Sequence, residues 1–336
     1  MKITLSVTTS SGGEKINLQI IEPVMSNTVR VACGQLCSSS NLLSNANIVK
    51  KLIRKAVTAK AKVLFLPEAT DYIAKDATQS MQLAQTSHES FISILQKELR
   101  DLYADNGAGL YVAVGVHEPS SSIGVNAKEN LKKVLNNQLW IDNKGEILHR
   151  YQKLHLFDIN IENGPILKES NSVEPGNSVL KPFPINSTSL SEFIIGFATC
   201  YDIRFPELGL RLRRLGANII TYPSAFTTKT GQAHWELLGR ARAVDTQCYV
   251  VMAAQCGEHN TEGDKKRISY GNSIIIDPWG NKISECRKYD DELSLDADGD
   301  YYEMCVADLD IDIVKKTRRD MPLMTHRRPD VFGYEV

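Results

Sequence analysis

The chain has 336 residues, 39 Lys and Arg against 40 Asp and Glu, and 42% hydrophobic residues. A net charge of −1 argues against an electrostatic nucleic-acid binder and a polybasic membrane binder, and no apolar run approaches the ~20 residues of a membrane-spanning helix. Its seven cysteines, at 33, 37, 200, 248, 256, 286 and 305, are odd in number and scattered, which suits a reducing compartment better than a disulfide framework.

Residues 1–28 stand apart as an N-terminal extension. Two alternating runs, 2–8 and 15–21, flank Ser11, Gly12 and Gly13, and read as a short hairpin or a weakly ordered segment. An apolar secretory core is missing and Glu14 and Glu22 replace the expected arginines, so neither a secretory nor a mitochondrial leader is expected; Met25 is a second candidate start.

From residue 29 strands and helices alternate. Residues 29–36 read as a strand. Residues 45–60 read as a helix, with Ile48, Val49, Leu52, Ile53, Ala56 and Val57 on one face. Residues 62–67 form a continuous apolar run, as in a strand buried on both faces. A helix over 87–103, a strand over 110–116 and a hairpin of 138–141 with 146–153 around Asp142 to Gly145 complete the first half. The second half repeats the order: strand 192–199, helix 206–215 with Pro206 in the tolerated first position, strand 217–222, helix 231–246, strand 248–254, and a hairpin of 272–277 with 282–286. A last strand, 303–309, precedes a helix with a basic end, and 331–336 form a tail. Residues 119–130 and 290–300 read as solvated insertions. Two such halves make mixed sheets whose uncovered faces must bury each other. The expectation is an α/β four-layer αββα sandwich over 29–330.

Three polar residues stand where predicted strands end: Glu68, Lys153 and Cys200. Carboxyl ends of strands are where α/β sheets place ligands. Singly, each has a plainer reading: a small buried thiol, a solvated carboxylate, a surface lysine. A carboxylate, an ammonium and a thiol converge at those strand ends if the halves pack face to face, and only that joint placement in a duplicated architecture raises a functional reading. Cys33 and Cys37 lack a second ligand pair at zinc spacing. H-E-x-x-H, G-x-S-x-G, Walker and G-x-G-x-x-G patterns are absent, so no metal or cofactor is expected.

Three segments carry a resemblance: Phe-Leu-Pro-Glu ending at Glu68, Tyr-Gln-Lys-Leu-His-Leu-Phe-Asp around Lys153, and Cys-Tyr-Asp-Ile-Arg-Phe-Pro-Glu-Leu starting at Cys200. They look like the catalytic segments of the nitrilase (carbon–nitrogen hydrolase) superfamily, in that family's order. The Lys153 segment and the Ala-His-Trp-Glu-Leu-Leu-Gly-Arg-Ala-Arg stretch containing His234 are similar to the Nit branch, closer to its deaminated-glutathione amidases than to its ω-amidases. The resemblance implies the αββα fold, a homodimer with a small-molecule amide substrate, a cytoplasmic location with a mitochondrial pool left open, and a Cys thioester mechanism that releases ammonia. It makes Cys200 the nucleophile, Glu68 the general base, Lys153 the third catalytic residue and Glu169 a second active-site carboxylate. The ammonium is expected to lower the thiol pKa, and the Tyr201 N–H to share the oxyanion with Lys153. Arg204 either pairs with a substrate carboxylate or forms an ion pair with Glu207 or another acid. Thr227 and its neighbours up to Thr230 either line the pocket or cap the His234 helix at Thr230. An ω-amidase and a non-catalytic interaction protein on the same fold remain the alternatives.

Overall fold

The computed structural model describes residues 2–10, 13–21, 26–107, 109–123, 132–160, 162, 166–186, 189–260, 267–290 and 293–333. β1 (Lys2–Ser10) and β2 (Gly13–Ile21) pair antiparallel as a two-stranded hairpin. β3 (Thr28–Leu36) then leads into α1 (Leu42–Thr58), which Asn41 caps by accepting from Ser44 N. β4 (Val63–Phe65) follows. The helix expected over 87–103 is present as α3 (Ser93–Asn106) with a π-helical turn at His88–Ile92, and a further helix the sequence reading does not include, α2 (Ala77–Ser87), runs into that turn. Only Met81, Ala84 and Ser87 of α2 are buried, too thin an apolar stripe to stand out by periodicity.

β5 (Tyr111–Ile123) pairs antiparallel with β6 (Lys132–Ile141), and β6 with β7 (Ile147–Gln152). The 119–130 insertion is thus part strand, and its residues 124–130 lie outside the described residues. Two short strands, β8 (Asp158–Asn160) and β9 (Ile166–Lys168), pair with each other, and β10 (Val173–Glu174) runs parallel to β6.

In the second half come β11 (Phe183–Pro184), β12 (Ile194–Phe197), α4 (Pro206–Arg214), β13 (Ile219–Thr221), α5 (Thr228–Thr246) and β14 (Tyr249–Met252). A small pair, β15 (Cys256–His259) with β16 (Arg267–Tyr270), precedes β17 (Ile274–Ile276) and β18 (Lys282–Glu285). The chain then returns to the first sheet as β19 (Tyr302–Asp310), antiparallel to β3, and continues as α6 (Ile311–Asp320). Of the tail, residues 334–336 lie outside the described residues.

One sheet has the order β10-β6-β5-β4-β3-β19 with β7 beside β6; the other has β11-β12-β13-β14-β17-β18. Strand alternation sorts their side chains into three cores. Leu64 joins Leu52, Ile53 and Leu95 under α1 and α3. Val63 and Phe65 meet Phe197, Ile219 and Val251 between the sheets. Ile220, Val250 and Met252 pack against Trp235 and Ala243 of α5. Helix, sheet, sheet, helix is therefore the layering, as the repeated element order predicts. The described part of the 290–300 stretch is solvated as expected, with no buried residue, and Asp296, Asp298 and Asp300 hold Lys51 of α1 at 2.6–2.8 Å.

Candidate active site

Glu68 lies just beyond β4. Gly115 of β5 permits its backbone to run close, since a Cβ there would stand 2.5 Å from Glu68 Cα. From the other half, Gln255 Nε2 donates to the carbonyl oxygens of Glu68 (3.0 Å) and Ala69 (3.1 Å). Lys153 follows β7, with its N–H on Asn136 O and its carbonyl accepting from Gly176 N at 2.8 Å. Cys200 follows β12 and starts a one-turn helix, Cys200–Arg204. Its φ of +49° is a conformation that a side chain resists and that clusters at functional sites. Its own N–H is held by Pro223 O at 2.9 Å, and Asp202 N–H by Thr199 O. The Tyr201 N–H between them has no acceptor among the described residues, as the start of a helix leaves its first donors.

The three strand ends converge. Lys153 Nζ donates to Glu68 Oε1 at 3.0 Å and to both Glu169 oxygens at 2.9–3.0 Å. Glu68 Oε2 accepts from Ala225 N at 3.1 Å, Glu169 Oε2 from Phe157 N at 2.7 Å, and the Cys200 thiol stands within the field of both Glu68 and Lys153. All of this is enclosed: Lys153 is 2% exposed, Glu68 6% and Cys200 9%.

Electrostatics assigns the resting protonation. Burial pushes Glu68 up, but the Lys153 ammonium and hydrogen bonds from Cys200, Lys153 and Asn136 outweigh it and hold the carboxyl below its usual range. Burial pushes Lys153 down, and the charges of Glu169 and Glu68 lift it well above the ordinary ammonium value. Cys200 corrects the expectation of a lowered thiol pKa. Burial and the neighbouring Glu68 charge push it up, and the opposing pull of Lys153 is smaller. The resting site is a carboxylate, an ammonium and a neutral thiol beside a proton acceptor.

The peripheral residues separate. Arg204 Nη2 donates to His234 Nδ1 at 3.2 Å, and its guanidinium lies 5.9 Å from the ring centres of Tyr201 and Phe226. Among the described residues it forms no ion pair, with Glu207 or any other acid. Thr227 is not brought to the catalytic group: it is exposed and caps α5 itself, accepting from Thr230 N, so the helix begins three residues earlier than the sequence suggests.

Two functional residues escape the sequence reading. Asn136 Nδ2 donates to Glu68 Oε1 at 2.9 Å and to Glu169 Oε1 at 3.3 Å. Its signal is the run Asn136, Asn137, Gln138, three buried amides leading straight into the apolar Leu139, Trp140 and Ile141. Asp202, fully buried, accepts from Thr199 N (2.9 Å), Tyr151 Oη (2.7 Å) and His155 N (3.0 Å), and binds His155 Nδ1 at 2.7 Å. It thereby ties the Cys200 turn to the residues on either side of Lys153. Asp202→Ala should cost about 2–4 kcal/mol in urea denaturation, because it strands several buried donors. Asp202→Asn, which keeps one acceptor oxygen, should fall between it and the wild type.

The carbon–nitrogen hydrolase family matches residues 30–319. A Schizosaccharomyces pombe protein named "Probable hydrolase nit2" is 43% identical over 302 residues, 90% of this chain and 98% of that one. Human deaminated glutathione amidase is 38% identical over 304 residues, covering 90% and 83%. The crystal structure of the Caenorhabditis elegans NitFhit protein superposes with a TM-score of 0.77 at 32% identity, over 93% of this chain and 67% of that one. With a matching fold, matching length and a thiol set against a carboxylate and an ammonium, the chain belongs to the carbon–nitrogen hydrolase family.

Proposed function

We propose that this carbon–nitrogen hydrolase is an amidase for deaminated glutathione, with Cys200 as nucleophile and Glu68 as general base. The observation that carries the chemistry is the buried convergence of Glu68, Lys153 and Cys200 from three strand ends, with Lys153 hydrogen-bonded to both Glu68 and Glu169. Cys200 Sγ attacks the amide carbonyl carbon as its proton passes to Glu68. Lys153 Nζ and the Tyr201 N–H meet the oxyanion, an effect worth about 3–4 kcal/mol for a good donor. Glu68 then protonates the amide nitrogen, the C–N bond breaks and a thioester remains. Water, giving its proton to Glu68, attacks the thioester; the acid leaves and the thiol is restored. The leaving amine depends on the amide. A primary amide gives ammonia. In deaminated glutathione the amide nitrogen belongs to Cys-Gly, so Cys-Gly leaves, and the expectation of ammonia applies only to the ω-amidase reading.

The substrate assignment is supported by the name of the human relative and by Arg204, a guanidinium near the nucleophile that no carboxylate of the described chain neutralises and that suits a substrate carboxylate. An ω-amidase would use the same reacting group without the Cys-Gly extension. Binding of that extension should lower the barrier at the amide, so kcat/KM for deaminated glutathione should exceed that for 2-oxoglutaramate by at least ~10-fold. Steady-state kinetics on the two substrates decides it, and a preference for the smaller amide transfers the assignment to ω-amidase. The complete catalytic cluster counts against a purely non-catalytic interaction protein.

A homodimer belongs to the same reading, supported by Leu237, Val244 and Trp279, large apolar side chains exposed around one shallow cleft at α5. Seven free cysteines support a reducing, cytoplasmic setting, and among the described residues no helix is long and apolar enough to cross a membrane.

A further inference from the structure

Asn136 touches more of the catalytic cluster than any motif residue except Lys153. Its carbonyl accepts the Lys153 N–H at 2.9 Å. Its side-chain amide, 3% exposed, donates to Glu68 Oε1 at 2.9 Å and to Glu169 Oε1 at 3.3 Å. The other end of that amide, Oδ1, is buried and has no hydrogen-bond partner among the described residues. Buried polar atoms are nearly always satisfied, and an exception asks for an explanation. Here it is electrostatic. Turning the amide over would set a carbonyl oxygen against two carboxylates, so the fold keeps the donor on the acids and leaves the acceptor unmade.

We propose that Asn136 is a positioning residue for the amidase reaction, whose Nδ2 joins Glu68 to Glu169 and holds Glu68 as an aligned, ionised base facing Cys200. The inference rests on the reading of Glu68 as general base. One ammonium serves two carboxylates here, and Lys153 Nζ divides its donors between them. A neutral donor bridging the same two acids relieves the imbalance without adding a charge that would compete for the oxyanion. The titratable groups facing Glu68 are Lys153 from the end of β7, Glu169 from the turn after β9 and Cys200 from the turn after β12. One strand over, the His117 imidazole, opposite Asn136 in register, is tied through Nδ1 to Asp71 at 2.9 Å. Burial pushes Glu68 up, and Asn136 is among the donors that bring it below its usual value. Removing that donor therefore raises the pH at which Glu68 gains a proton.

The test follows alkylation of Cys200 by iodoacetamide across pH, mapped by peptide mass, in the full-length wild type, Asn136→Leu, Asn136→Ser and Glu68→Gln. This readout requires no knowledge of the substrate. Glu68→Gln should slow Cys200 alkylation and remove its acid limb. If that profile is unchanged, Glu68 is not the base and the inference falls with that reading. With Glu68→Gln altered as expected, Asn136→Leu should move the acid limb up by about one pH unit, as loss of a hydrogen bond to a charged group implies, and Asn136→Ser by less. In turnover, kcat should drop about 10-fold in Asn136→Leu with little change in KM. A wild-type acid limb in Asn136→Leu, or in Asn136→Ser should the leucine variant fail to fold, overturns the inference.

Discussion

Cys200→Ala should lose at least ~10⁴-fold in kcat, since no other group can form the acyl intermediate, and should still fold. Cys200 is acted on by the charges of both Glu68 and Lys153, and neither residue is among the groups that act on Cys33, Cys37, Cys256, Cys286 or Cys305. Its backbone is at φ +49°, and alanine there carries the same steric cost as cysteine, so the turn should persist. Circular dichroism melts beside steady-state rates separate the effects. Turnover near the wild-type rate in Cys200→Ala would remove the thiol from the mechanism.

Lys153→Met should lose about 10³-fold in kcat and also melt earlier at neutral pH. The kinetic part has two sources: loss of an oxyanion donor, and loss of the ammonium that keeps Glu68 ionised. The stability part follows from burial. Lys153 is 2% exposed between two carboxylates, and removing one partner of a buried pair leaves charge uncompensated, at a cost of about 3–5 kcal/mol. Without Lys153, burial dominates at Glu68 and its carboxyl binds a proton more tightly when folded than when unfolded. A group with a raised folded pKa stabilises below its unfolded pKa and loses that stability as pH rises through the folded one. The deficit in melting temperature relative to wild type should therefore be small near pH 5 and larger near pH 8. A deficit independent of pH, with activity intact per folded molecule, would make Lys153 a packing residue.

The layering was legible because strands such as Val63–Phe65 are apolar on both faces and because element order repeats, so only a face-to-face pairing of sheets buries everything. What escaped did so for local reasons. α2 has a weak apolar stripe. β6 begins with Lys132, Lys133 and the amides at 136–138, which look like loop until the site behind them is seen. Glu68, Lys153 and Cys200 were readable as strand-end residues in recognisable segments, whereas Asn136 and Asp202 act through partners distant in sequence. The sign of the thiol shift was not readable at all, because it turns on burial and on the Glu68 charge outweighing Lys153. The sequence offers Arg204 a substrate carboxylate or an acidic neighbour, and in the fold it meets His234, thirty residues on, which no local pattern signals.

The proposed reaction runs through a thioester on Cys200. Acid-quenching the enzyme during turnover of deaminated glutathione and mapping its peptides by mass tests it most directly. An added 2-oxo acyl group, labile to hydroxylamine, is expected on the peptide bearing Cys200 and nowhere else. An acyl group on any other residue, or its persistence on Cys200→Ala protein, would contradict it.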